Sequence, residues 1–263
     1  RYNKISVVEL QKNPLRDTIF GVITTVIMLG ILSIFAVIFV IPFVQEWPYQ
    51  VSFSLEHVKS VISDPDLLGV YTNSLFVAVM TAIIGVLISY GAALVTARST
   101  LNAKLKSVVE AIALVINTIP GMVLGIAFML TFTGTNLQST FIILIICDVV
   151  HYFSTPYLMV KNSLSKMNAS WETTAMLMGD SWIKTIIRVV TPNAMSTIIE
   201  VFSYYFVNAM VTISAIIFLA GAHTMVITTK IKELQYYNKF NEVFVLSVLI
   251  LITNIIAKYI FGW

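Results

Sequence analysis

The sequence predicts an all-α membrane protein with six transmembrane helices, and three observations carry that prediction. Of 263 residues, 58% are apolar and only 11% are charged, whereas a soluble domain carries about 25% charged residues. Charge-free runs recur along the chain at the length of about 20 residues that crosses a bilayer. The basic residues stand at the ends of those runs instead of forming a patch, so a formal net charge of +3 makes no case for nucleic acid as a partner. The lipid bilayer is the partner that composition implies.

Arg1 to Arg16 is polar and holds four basic residues; Thr18 to Gln45 then forms the first span. Glu46 to Asp66, with Trp47, Pro48, Phe53, His57 and Asp64-Pro65, reads as an ordered external loop containing a short helix. The second span runs from Val70 to Ala97, where Gly85 and Gly91 permit close helix approach, and it ends at Arg98. Arg98, Lys104 and Lys106 fill the next loop.

The third span starts near Ser107 and contains Asn117-Thr-Ile-Pro-Gly121, whose proline frees a carbonyl and whose glycine loosens the helix. Thr131 to Gln138 is an uncharged turn. The fourth span, Ser139 to Val160, carries Asp148 and His151 one helical turn apart, followed by a kink at Pro156. The fifth runs from Asn193 to Leu219 with Glu200, Asn208 and Ser214 inside it. Gly221 to Asn241 is a second mixed loop, and Glu242 to Gly262 is the sixth span.

Six spans place both termini on one side, and basic residues choose which. Twelve lie on the side of the termini and four opposite, so the positive-inside rule puts both termini in the cytoplasm. The single cysteine, Cys147, lies in an apolar run and supports neither a disulfide framework nor a cysteine-based metal site. No cleavable signal peptide is visible.

One polar interruption, Trp171 to Asn193, falls on the cytoplasmic side between the fourth and fifth spans. Trp171, Ala175 and Met178 share one helical face at i, i+4 and i+7, with Glu172 beside them. Gly179 breaks that helix, and Asp180 and Ser181 are placed to cap the next. In the second helix Trp182, Ile183, Ile186, Ile187 and Val190 share one side while Lys184, Thr185 and Arg188 take the other. Thr191-Pro192 reads as a restart, Thr as N-cap and Pro at the first helical position. Met176 and Met178 suit either a short helix core or a surface that re-packs. An ordinary connecting loop seldom has two amphipathic helices, so the segment reads as a docking surface.

No metal-ligand spacing, nucleophile elbow, paired-carboxylate site or phosphate loop is present, and the chain is not expected to be an enzyme. If it drives transport with ATP, another chain must bind the nucleotide. Asp148 and His151 are the clearest intramembrane ionisable pair. They either line a solute path or bond each other to lock helix packing. Glu200 is placed to reach the interface. Asn117 sits at the mid-membrane break, and Asn208 either lines a path or bonds a neighbouring helix.

The interruption resembles the cytoplasmic signature of binding-protein-dependent ABC importer permeases, E-A-A-x-x-x-G-x(9)-I-x-L-P. Gly179, nine residues, Val189, Val190, Thr191 and Pro192 keep its spacing, with Val189 and Thr191 replacing Ile and Leu. Thr173, Thr174 and Ala175 occupy the E-A-A positions, and the acidic residue sits one place early at Glu172. Asn73-Ser-Leu75 with Gly85 and Ala97-Arg98 resembles the family's first core helix, and Ile119-Pro-Gly-Met-Val-Leu-Gly-Ile126 its P-G-x-V-L-G-I stretch. Val211 to Leu219 is most similar to the ferric-iron and 2-aminoethylphosphonate members of a branch that also includes polyamine permeases.

The resemblance implies a type I, MetI-like permease in the bacterial inner membrane. Glu172, Thr173, Thr174, Ala175, Met178, Gly179, Asp180 and Pro192, within a loop spanning 165–192, would form the coupling helix that docks on a cytoplasmic ATPase. ATP and Mg would bind that ATPase, with no cofactor on this chain. A second permease copy or homologous half would complete the path, and a solute-binding protein would meet the external loops. A chain opening on Arg1 fits the second half of a fused pair as well as a separate subunit. The alternative is a proton-coupled secondary transporter using Asp148 and His151.

Overall fold

A computed structural model describes residues 13–261; Arg1, Lys4 and Lys12, counted above in the charge asymmetry, lie outside the described residues. Among the described residues three helices are long and apolar enough to cross a membrane unaided: α1 (Pro14–Val40, extended by a 3-10 turn to Phe43), α3 (Leu67–Arg98) and α13 (Phe240–Phe261). Three more segments qualify as bent pairs, which brings the count to six if each pair is one span. They are α4 with α5 (Ala103–Ile116, Gly121–Phe132), α6 with α7 (Phe141–His151, Ser154–Ser165), and the run Trp182–Asn193 with α11 (Met195–Val211).

The bends follow from the sequence. Pro120 stops α4, since its ring cannot continue the helix and its preceding residue is pushed out of the α region. The two halves then meet at 108°, a full break where the sequence suggested a loosened helix. In the fourth span the 55° bend lies at Tyr152-Phe153, upstream of Pro156. That is the expected side, because a proline within a helix deprives the carbonyl four residues before it of its donor.

Helix α3 organises the bundle and packs against α4, α6, α7, α11 and the helix Ile227–Tyr236 (α12). Its buried positions include Ser74, Ala78, Ala82, Gly85, Ser89 and Ala93, a stripe of small side chains at helical spacing that brings backbones together. Gly85 has the closest approach: the Tyr205 ring of α11 covers it, and the Tyr205 hydroxyl is hydrogen-bonded to Ser89 Oγ at 2.8 Å. Gly91, expected to serve likewise, meets nothing within 4 Å.

By contrast α1 has no buried residue and lies along α13. Its apolar residues face outward all round, as lipid or a neighbouring subunit allows.

Between the first two long helices, Val44–Glu46 (β1) pairs antiparallel with Gln50–Phe53 (β2), followed by α2 (Glu56–Ile62). The sequence signalled the short helix; the hairpin was missed because three- and four-residue strands give too short a pattern to read. The loop after Gly221 also holds a helix, α12 (Ile227–Tyr236). Ile227, Ile231 and Leu234 fall at i, i+4 and i+7 and pack into the main core, a signal present in the sequence.

The fifth span ends at Val211, short of Leu219. Residues 212–220 form turns whose Ala215, Ile216 and Leu219 are buried against Leu124, Ile143 and Leu144. Thr212 makes this possible, since its Oγ1 donates to the Asn208 carbonyl at 2.6 Å and its own carbonyl accepts from Thr228 Oγ1 at 2.7 Å. These bonds satisfy groups the helix end would otherwise leave orphaned.

Candidate coupling surface and solute path

The interruption forms a projecting unit at the end of the bundle where α3 finishes. Helix α8 (Ser170–Leu177) is followed by Met178 and Gly179, the latter at φ +82°. The Gly179 amide donates to the Met176 carbonyl at 3.0 Å and the Asp180 amide to that of Ala175 at 2.9 Å. This is the double bond pattern of a Schellman turn, which needs a left-handed residue that glycine supplies without strain. Ser181 then caps the next helix, accepting from the Lys184 amide at 3.3 Å, and Asp180 pairs with Lys184.

From Trp182 to Thr185 (α9) the helix is regular; Ile186–Val190 widens into a π turn, and Thr191–Asn193 (α10) closes the run. The sequence suggested a restart at Thr191, but Thr191 is itself helical and the 74° bend falls at Ala194. Pro192 is accommodated in place by the widened turn, which relieves the crowding its ring imposes. Thr191 spends its hydroxyl elsewhere, bonded to Tyr90 of α3 at 2.7 Å. The buried side of this run is also shifted from the sequence expectation: Thr185, Ile186 and Val190 are buried while Ile183 and Ile187 are exposed.

The outer face of the unit is apolar and open. Met176, Leu177 and Met178 stand exposed, Leu177 at 84% and Met178 at 79%, and Thr173, Thr174, Gly179 and Pro192 are exposed with them. Ala175 and Asp180 are half-buried. A cleft of about 660 Å³ runs beside this face, lined by Val95, Ala97, Arg98, Thr173, Met176 and Trp182 among others.

Glu172 turns inward, toward Arg98. The Arg98 Nε and Nη2 donate to its two carboxylate oxygens at 2.6 and 2.8 Å, with the side chains 4% and 13% exposed. Arg98 also donates to the carbonyls of Met167 and Asn168 at 3.0 and 3.1 Å. The sequence placed Arg98 at a span end and gave no partner for it; the separation of 74 positions left no local pattern to read.

The expected intramembrane residues separate into two groups. Asp148 is fully buried in α6 with both carboxylate oxygens unpartnered among the described residues. The pairing with His151 is not made. His151 instead lies edge-on to Tyr152, ring centroids 4.5 Å apart, and packs with Ser214 against Gly121 at the start of α5, where an added Cβ would lie 2.5 Å from Ser214 Oγ. The Tyr152 hydroxyl meets Thr212 Oγ1 at 2.8 Å, and Asn208 donates back to its own helix at the Tyr204 carbonyl, 2.8 Å away. Asn117 is exposed at the end of α4, and Glu200 is exposed on α11. Thus His151, Tyr152, Ser214, Thr212 and Asn208 form a polar strip beside the helix break, to which the Asp148 carboxylate makes no hydrogen bond. No group of three or more metal-ligating side chains occurs among the described residues.

Broken apolar spans, a polar strip at a break, and an exposed apolar unit held by a glycine turn describe a membrane-spanning helical subunit. The chain belongs to the family of binding-protein-dependent transport system inner membrane components, which matches residues 85–263. Among curated relatives, a putative ferric transport system permease of Haemophilus influenzae is 28% identical over 224 residues, covering 81% of this chain and 34% of that protein. A molybdate/tungstate transport system permease of Pyrococcus furiosus is 25% identical over 191 residues, covering 72% of this chain and 74% of the relative.

The chain thus spans about a third of the length of the ferric relatives, 34% in one case and 31% in a second from Actinobacillus pleuropneumoniae. In fold it resembles a bacterial ABC transporter that imports alginate, with TM-score 0.70 at 16% identity over 95% of this chain and 97% of that one. The methionine transporter MetNI in an inward-facing form gives TM-score 0.61 at 17% identity, over 76% and 96%.

Proposed function

We propose that this chain is the path-forming and coupling subunit of an ATP-driven importer, with α8 and the Gly179 turn docking on a cytoplasmic ATPase that binds ATP and Mg. The observation that carries this reading is the exposed apolar face of Met176, Leu177 and Met178, clamped in one geometry by the Schellman turn, in a chain of this family. Exposed apolar side chains on a polar segment mark a protein contact, and Met adapts to a partner that moves. Both termini would be cytoplasmic. The hairpin and the α12 region would then face a solute-binding protein outside, and a second copy or homologous half would complete the path along the strip near His151.

For the cargo, the Val211–Leu219 stretch fits ferric iron and 2-aminoethylphosphonate alike, and the named ferric relatives favour ferric iron. The test is co-purification of an ATPase and solute-binding protein with the chain, followed by uptake of labelled iron and labelled 2-aminoethylphosphonate. Leu177→Glu with Met178→Glu should abolish ATPase co-purification while leaving the chain in the membrane. Normal co-purification in that variant would remove the docking assignment.

A further inference from the structure

We infer that Arg98 is a positioning residue that carries displacement of α8 directly into α3, and that Glu172 serves this internal joint instead of contacting the ATPase. The inference rests on the coupling function proposed above and adds where the motion goes.

Three features support it. Arg98 is the last residue of α3, the helix on which the bundle is packed. Its guanidinium grips Glu172 through two parallel bonds of 2.6 and 2.8 Å, a forked geometry that resists rotation as a single bond does not. The same guanidinium donates to the carbonyls of Leu164, Met167 and Asn168, so the end of α7, the connecting turn and the first turn of α8 converge on one side chain.

Helix α8 otherwise packs on α9 and anchors Trp171 against the core. Glu172 is only 13% exposed, and although it borders the cleft beside α8, each of its two oxygens accepts from the Arg98 guanidinium, so the carboxylate is engaged within the subunit. A buried ion pair adds little net stability over an apolar replacement, but it fixes one arrangement against others. That property suits a joint more than a staple.

Exchanging the two residues is a poor test, because a carboxylate at position 98 would face the carbonyls that Arg98 now holds. Glu172→Gln and Arg98→Lys are milder: the first keeps the shape and removes the charge, the second keeps the charge and removes the fork. In the complex with its ATPase, both variants should retain ATPase co-purification and hydrolysis. Uptake per ATP hydrolysed should fall by about two- to thirtyfold, the range of coupling changes that single substitutions produce. This ratio does not depend on how much complex forms, so a purely structural defect leaves it unchanged.

Wild-type uptake per ATP in both variants would overturn the joint. Loss of ATPase co-purification in Glu172→Gln, with the chain still in the membrane, would overturn it differently, by making Glu172 a direct contact. Failure of the wild-type chain to bind any ATPase would instead remove the underlying functional reading.

Discussion

The backbone amide of Asp180 returns to the carbonyl of Ala175 at 2.9 Å, so the chain reverses out of α8 around a single left-handed residue, Gly179. An added Cβ there would meet nothing within 4 Å, which makes the penalty for substitution conformational and not steric. A non-glycine residue in this region costs about 1–2 kcal/mol, and less for Asn. Coupled uptake should therefore fall in the order Gly179→Asn, Gly179→Ala, Gly179→Val, with membrane insertion unchanged. Losses that instead tracked side-chain volume, with Gly179→Ala the mildest, would assign the glycine a packing role.

Gly85 and Gly91 separate close packing from helix flexibility on the same helix. A Cβ at Gly85 would lie 2.6 Å from the Tyr205 ring, and the ring is held by its 2.8 Å bond to Ser89. Gly85→Ala should destabilise the detergent-solubilised chain by about 1–3 kcal/mol, the usual cost of overpacking. Gly91→Ala, in open space, should stay within about 0.5 kcal/mol. Thermal unfolding of the two variants side by side checks the contrast.

Asp148 offers the sharpest division between the ATP-driven reading and a proton-driven transporter. Its carboxylate is buried with no hydrogen-bond partner among the described residues, an arrangement that burial penalises. Asp148→Asn should leave Tm equal or higher and preserve ATP-dependent uptake. A proton-coupled mechanism requires the opposite: uptake abolished in the variant, and wild-type uptake collapsed by a protonophore with no ATPase present.

At the break before α5, Ser214 Oγ would lie 2.5 Å and His151 Cε1 3.0 Å from a Cβ on Gly121. Gly121→Ala must push both side chains away and disturb the polar strip. Apparent affinity for the solute during uptake should weaken while ATPase binding is untouched. An unchanged concentration dependence would place the solute path elsewhere.

Spans, the polar interruption and its glycine turn were legible in the sequence because each rests on a local pattern: charge-free length, helical periodicity, a residue that tolerates positive φ. The glycine-to-proline spacing from Gly179 to Pro192 named the family from the same short stretch. What the sequence hid was set by distant partners. Thr191 reads as a cap by composition, yet its hydroxyl is taken by Tyr90, and Pro192 stays helical because the preceding π turn makes room. Asp148 and His151 share a helical face by spacing, but Tyr152 and Gly121 draw the imidazole away. Arg98 and Glu172 meet only after α3 and α7 pack, so no windowed pattern could join them.

The central claim is that this chain converts ATPase motion into solute passage through the unit around Gly179. It is tested most directly in liposomes containing the permease, its ATPase and its solute-binding protein, by measuring solute taken up per ATP hydrolysed for wild type and for Gly179→Val. The variant should still hydrolyse ATP but import little solute. Uptake per ATP equal to wild type in that variant would contradict it.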